Sequence, residues 1–180
     1  MLSGAVPVGY YDSLFNGHRL PQDWRPPAFT VHGERNRPAD IVAWRGASPL
    51  LSERAVEVFE AVAPGCAEYK YFADIRKQAY FVMNVLATED VLDTESTIGD
   101  RDDFGQFGSI ESYRFKDKPL ASRLFKLTGR FYELPFVTRA IPEAVVANAL
   151  VGFVFRDPSV SATQSLFLGK ETNVFPGVLT

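Results

Sequence analysis

Seven consecutive residues, Tyr80-Phe81-Val82-Met83-Asn84-Val85-Leu86, form an almost unbroken run of aromatic, β-branched and other apolar side chains. A strand with one wet face would alternate apolar and polar residues, so this run predicts a strand buried on both faces and placed centrally in a sheet. A chain with such a strand must supply a covering layer on each side. One layer is legible just upstream. Ser52 precedes Glu53-Arg54-Ala55-Val56-Glu57-Val58-Phe59-Glu60-Ala61-Val62, where Ala55, Val56, Phe59 and Val62 recur at helical spacing until Pro64-Gly65. Ser52 suits an N-cap, and Glu53 puts negative charge at the positive end of the helix dipole.

Glu68 to Ala73 alternates Tyr69 and Tyr71 with Lys70, as a half-wet strand does. Further strands are expected at Ile110 to Phe115, Arg123 to Leu127 and Leu134 to Val137, set apart by Asp117, Pro119 and Gly129. A second helix is expected from Pro142 to Leu150, feeding a strand at Val151 to Phe155. Before residue 41 the chain is rich in Pro, Gly, Asn and Arg, which predicts an irregular arm. Within it Phe29-Thr30-Val31-His32 is a candidate short strand, and Tyr10, Tyr11, Phe15 and Trp24 are candidate pins onto the body. The expectation is an α+β fold: a single mixed domain with a central, mostly antiparallel sheet, two main helices and irregular N- and C-terminal arms. Residues 1–40 form the first arm, 41–158 the body and 159–180 a C-terminal tail within the same unit, itself only partly ordered.

Composition narrows the function. With 180 residues, 46% hydrophobic and 23% charged, the chain is long and apolar enough for one core. A net charge of −3 and a pI near 5.4 argue against direct nucleic-acid binding, which needs a basic face to displace counterions. A lone cysteine, Cys66, suits a reducing compartment, and no basic-then-apolar leader opens the sequence, so a cytoplasmic location is expected. The most apolar stretch, Ala144 to Phe155, has 12 residues and includes Asn148, too short to span a membrane.

Catalytic patterns fail one by one. His18 and His32 lie in the arm without a second histidine at metal-ligand spacing, so no metal site is indicated. Cys66 follows a helix end, whereas an activated thiol favours a helix N-terminus. No serine sits in a Gly-x-Ser-x-Gly frame. Gly169-Lys170 has Gln164 and Glu171 where a phosphate-binding loop needs Gly and Ser or Thr, and Gly105 and Gly108 lack dinucleotide-binding spacing. No cofactor is implied.

The strongest physical anomaly is acidic. Glu89, Asp90, Asp93, Glu95, Asp100, Asp102 and Asp103 against Arg101 leave −6 over residues 89–103, so the rest of the chain, in a total of −3, carries +3. Two readings follow. The run is a solvated face, or it is a docking surface for a basic partner, with the acidic groups speeding encounter and setting specificity. A small enzyme using these carboxylates, or an adaptor with another protein partner, are further alternatives; the enzyme would need carboxyl groups with raised pKa values in a closed pocket.

Several motifs, taken in order, resemble one family. Pro49-Leu50-Leu51-Ser52-Glu53-Arg54-Ala55 with Val58-Phe59-Glu60 and Pro64-Gly65 is similar to its first helix. Tyr80 to Leu86 followed by Asp90-Val91-Leu92-Asp93 and Ser96 is similar to its central strand and exit. Phe136-Val137-Thr138 and Leu150-Val151-Gly152-Phe153-Val154-Phe155 resemble its closing helix-to-strand segment, with Thr138 in place of a serine and Pro142 interrupting the second helix. Covering about residues 48–157, these motifs resemble the immunity proteins of bacterial polymorphic-toxin and type VI secretion effector systems, typified by a myxobacterial immunity domain. The resemblance implies a non-catalytic antitoxin that binds a cognate toxin effector and blocks its active site or substrate entry. The acidic stretch then favours a DNase or RNase with a basic cleft. Ser52, Asn84 and Asp93 read as structural, and the toxin contacts are expected at Glu95, Asp100, Asp102, Asp103, Phe104 and Phe107, the two phenylalanines as exposed anchors. The sequence leaves the oligomeric state open.

Overall fold

Gln78–Val85 does run through the interior of a sheet, flanked on both edges and covered on both faces. The computed structural model describes residues 14–28, 39–45, 48–159, 174–176 and 178–179. In chain order the strands are β1 Ile41–Arg45, β2 Ser48–Ser52, β3 Ala67–Ile75, β4 Gln78–Val85, β5 Thr88–Glu89, β6 Ile98–Arg101 and β7 Phe107–Ser112. They continue with β8 Leu124–Leu127, β9 Phe136–Thr138, β10 Val154–Arg156, β11 Val174–Pro176 and β12 Val178–Leu179. The first helix, Glu53–Val62, follows β2 and the second, Ala140–Ala147, follows β9. The fold is a single α+β domain.

The central sheet is antiparallel, in the order β1-β2-β4-β3. Alternation along β4 assigns its faces. Met83 and Val85 point toward the first helix and pack with Leu51, Ala55 and Phe59, while Tyr80 and Val82 point the other way and pack with Leu50 and Phe72. That second face is covered by the arm through Phe15 and Leu20, with Trp24 partly buried beside them. The expected pins Phe15 and Trp24 are therefore in place; Tyr10, Tyr11, His32 and the strand expected at 29–32 lie outside the described residues. A second sheet, β12-β9-β8-β5, mixes one antiparallel and two parallel pairings, and its Phe125, Leu127 and Phe136 form a third apolar cluster with Val91.

The first helix begins as expected. Ser52 is extended, its Oγ accepts from the Ala55 N–H at 3.2 Å, and Glu53 lies in the first turn. Strands β1 and β2 have no counterpart among the strands expected from the sequence, where Pro49-Leu50-Leu51 enters only in the motif similar to the family's first helix. Proline removes a ladder hydrogen bond, yet β2 is an inner strand. The pairing resolves this: Val42 faces Leu50 and Arg45 faces Ser48, so two residues of β1 bulge opposite Pro49. The strand expected at 110–115 instead spans Phe107–Ser112, and that expected at 134–137 starts after Pro135. The tail was expected to be irregular, yet β11 and β12 pair with β10 and β9.

Pro142 does not interrupt the second helix. It is the third helical residue, where an N–H has no intrahelical acceptor and none is lost. At the far end the Leu150 N–H donates to the Val145 carbonyl and the Ala149 N–H to the Val146 carbonyl, both at 3.0 Å, closing the helix with Ala149 at φ +49°. Alanine pays for that left-handed conformation and glycine does not. Ala149→Gly is expected to stabilise the protein by about 1 kcal/mol, read as a higher urea midpoint at unchanged slope.

Candidate functional site

The acidic stretch folds into a turn and a hairpin, and several of its carboxylates have partners of their own. Glu89 is buried and accepts from the Ser122 N–H at 2.8 Å; Asp90 pairs with Lys116 at 3.2 Å. Asp93 accepts from the Glu95 and Ser96 N–H groups at 3.0 and 3.3 Å, and hydrogen bonds from the Ser96 side chain and backbone hold its carboxyl below the ordinary range. This is a turn anchor. A general acid requires the opposite shift.

Downstream, β6 and β7 pair antiparallel with two register shifts. At Gly99 the strands approach so closely that a Cβ would lie 2.2 Å from the Ser109 carbonyl oxygen, so only glycine fits. Asp100 accepts from the Ser109 hydroxyl at 2.8 Å across the pair. At the tip, one carboxylate oxygen of Asp102 accepts from the Phe104 N–H at 2.9 Å and the Gln106 N–H at 2.8 Å, while the Asp102 N–H donates to the Gln106 carbonyl. The tip is thus fixed by a local hydrogen-bond set. Arg101 donates to the carbonyls of Gly105 and Thr94, which draws the turn carrying Glu95 alongside the tip.

Of the sequence-predicted contacts, Glu95, Asp100, Asp102, Asp103 and Phe104 are exposed and share this region. Phe104 is 88% exposed. Phe107 is not the exposed anchor expected from the sequence. It is 8% exposed, with the Arg101 guanidinium 3.8 Å above its ring and its carbonyl accepting from Arg130 at 2.7 Å. Strand alternation and the cation above the ring turn it inward. Arg130 also pairs with Glu133 at 2.5 Å and lies 5.3 Å from the ring of half-exposed Tyr132, while its guanidinium donates to the Phe107 and Gly108 carbonyls at the tip end of the hairpin. Tyr132 was not among the residues singled out in the sequence, which marks only the turn at Gly129 ahead of it.

The three motif polar residues have structural partners. Ser52 caps the helix and donates to Asp40; Asn84 donates to the His18 carbonyl and Glu68; Asp93 anchors its turn. Among the described residues no group of three or more His, Cys, Asp or Glu side chains is placed to hold a metal ion, and no helix is long and apolar enough to cross a membrane.

The hairpin tip therefore exposes one aromatic side chain, Phe104, beside the carboxylates of Asp100, Asp102 and Asp103. Residues 12–160 match the Immunity protein family (Imm11), and the chain belongs to that family. The match reaches further toward the N-terminus than the recognisable motifs and takes in the arm segment carrying Phe15, Leu20 and Trp24. No curated protein matches the chain. Membership implies immunity to a toxin and a non-catalytic role.

Proposed function

We propose that this chain is the stoichiometric inhibitor of one cognate secreted toxin and that it engages the toxin through the β6–β7 tip, with Phe104 as anchor and Glu95, Asp100, Asp102 and Asp103 around it. The observation that carries this reading is a large apolar side chain, 88% exposed, on a tip whose main chain is already held by Asp102. Order imposed on folding does not have to be imposed again on binding, and a preorganised aromatic is the usual core of an energetic hot spot. Phe107 supports the tip from below. Tyr132 extends the surface toward the 1,200–2,000 Å² that a stable interface typically buries.

The exposed carboxylates favour a basic partner. A DNase or RNase, whose cleft must attract phosphates, fits that chemistry, and blocking its active site or substrate entry in the cytoplasm needs no cofactor. Coexpression with the toxin domain tests the proposal. The unmodified chain is expected to restore growth, and a chain carrying Asp100→Asn, Asp103→Asn and Phe104→Ala to fail at equal abundance and melting temperature. Full protection by the triple variant would remove the hairpin as the contact.

A further inference from the structure

Three buried polar side chains, on three strands of two sheets, converge on one short stretch of main chain. Glu68 of β3 and Asn84 of β4 stand opposite one another in register, on the face of the central sheet turned away from the helices. Lys126 comes from β8 of the second sheet. They are 8%, 0% and 1% exposed. Glu68 Oε1 accepts from the Leu20 N–H and from Asn84 Nδ2, and Asn84 Nδ2 also donates to the His18 carbonyl at 2.8 Å. Lys126 Nζ donates to the Phe15 carbonyl at 3.2 Å and the Phe131 carbonyl at 2.5 Å. Burying a carboxylate and an ammonium is costly, and here much of the compensation comes from peptide groups of residues 15–20.

Main-chain groups are common to every residue, so selectivity must come from side chains. Phe15 is 4% exposed, with its ring edge-on to Trp44 at 5.8 Å, and Leu20 is 4% exposed among Leu50, Phe72, Tyr80 and Val82. Between them Gly17 has φ +85°, and a Cβ there would lie 2.8 Å from the ring of Phe131. Main-chain hydrogen bonds combined with two apolar seats and one enforced glycine is the way peptide-binding domains read their ligands. Asn84 Oδ1 is buried without a partner among the described residues, so the seat holds an acceptor that this segment does not use.

We propose that the body of this protein is a receptor for a peptide of the form Phe-x-Gly-x-x-Leu, occupied in cis by residues 15–20 and able to take the same segment in trans. The proposal is independent of the hairpin and its toxin. By bridging Glu68 and Asn84 on one sheet to Lys126 on the other, the occupant couples the two sheets.

The test uses the full chain with a protease site inserted at Gly33 and cut after folding. The clipped protein is expected to keep its arm through gel filtration and to exchange it, saturably, for a fluorescent peptide of residues 12–26. Lys126→Met in the body should weaken the peptide at least tenfold. Leu20→Ala or Gly17→Val in the peptide should do the same, and these changes cannot unfold the body. A scrambled peptide should not bind. Unfolding on clipping, loss of the arm without uptake of the peptide, or equal binding of the scrambled peptide would overturn the proposal.

Discussion

Phe104→Ala is expected to weaken binding to the cognate toxin about thirtyfold or more, the roughly 2 kcal/mol that separates a hot spot from its surroundings. The same change should leave the melting temperature where it is, because the ring is 88% exposed and gives up almost no packing. Isothermal titration and calorimetry on one preparation read both quantities. Phe107→Ala provides the contrast: its ring is buried beneath Arg101, so that variant should lose stability, and lose affinity only through the tip it supports. Asp100→Asn and Asp103→Asn act on charge instead. They should slow association and flatten its salt dependence while changing dissociation little. Unchanged affinity in Phe104→Ala would mean that the exposed ring faces no partner.

Asp40→Ala is expected to cost about 2–4 kcal/mol of stability, because one buried carboxylate joins three parts of the chain. Its Oδ1 accepts from the Ser52 hydroxyl at 2.8 Å and Arg54 Nε at 3.3 Å; its Oδ2 accepts from the Arg54 guanidinium at 2.7 Å and the Val151 N–H at 2.8 Å. Removing it leaves the Val151 donor and the capping serine without that acceptor at once. Burial alone would raise the Asp40 pKa, but hydrogen bonds from Arg54, Val151 and Ser52, with the guanidinium charge, outweigh it and hold the carboxyl below its usual 3.8. A depressed folded pKa contributes stability that is present above the unfolded value and is lost as pH falls through the folded one. Urea midpoints should therefore decline from about pH 4 downward in the unmodified protein, and the decline should be smaller in Asp40→Ala. Equal acid sensitivity in the two proteins would assign the decline to other carboxylates.

The sequence was most legible where local chemistry and tertiary packing agree. Ser52, Glu53 and the Ala55-Phe59 spacing specify a helix under any burial, and the apolar run at 80–86 has no stable place except between two layers. It was least legible where a long-range partner decides. Pro49 argues against an inner strand until the bulge in β1 opposite it is known, and nothing local says that Val42 faces Leu50. The acidic stretch followed the same division. Asp102 is held by its own neighbours, the Phe104 and Gln106 N–H groups, whereas Glu89 reaches Ser122 and Asp90 reaches Lys116, so the apparent repulsion of the run is relieved in part by residues 26 to 33 positions away. Phe104 and Phe107 are indistinguishable by composition; Arg101 above one ring and open space around the other separate them. The family, by contrast, was legible through the order of its motifs, each weak alone, and the match over residues 12–160 agrees with it.

On the proposed function, this chain holds its cognate toxin through the hairpin tip. The most direct measurement is co-purification from the native cell with a tagged copy, comparing the unmodified chain with Phe104→Ala and identifying the bound polypeptides by mass spectrometry at moderate and at high salt. One toxin polypeptide is expected, retained by the unmodified chain, released progressively by salt and missing from the variant. Recovery of that toxin in equal amount with Phe104→Ala, insensitive to salt, would contradict it.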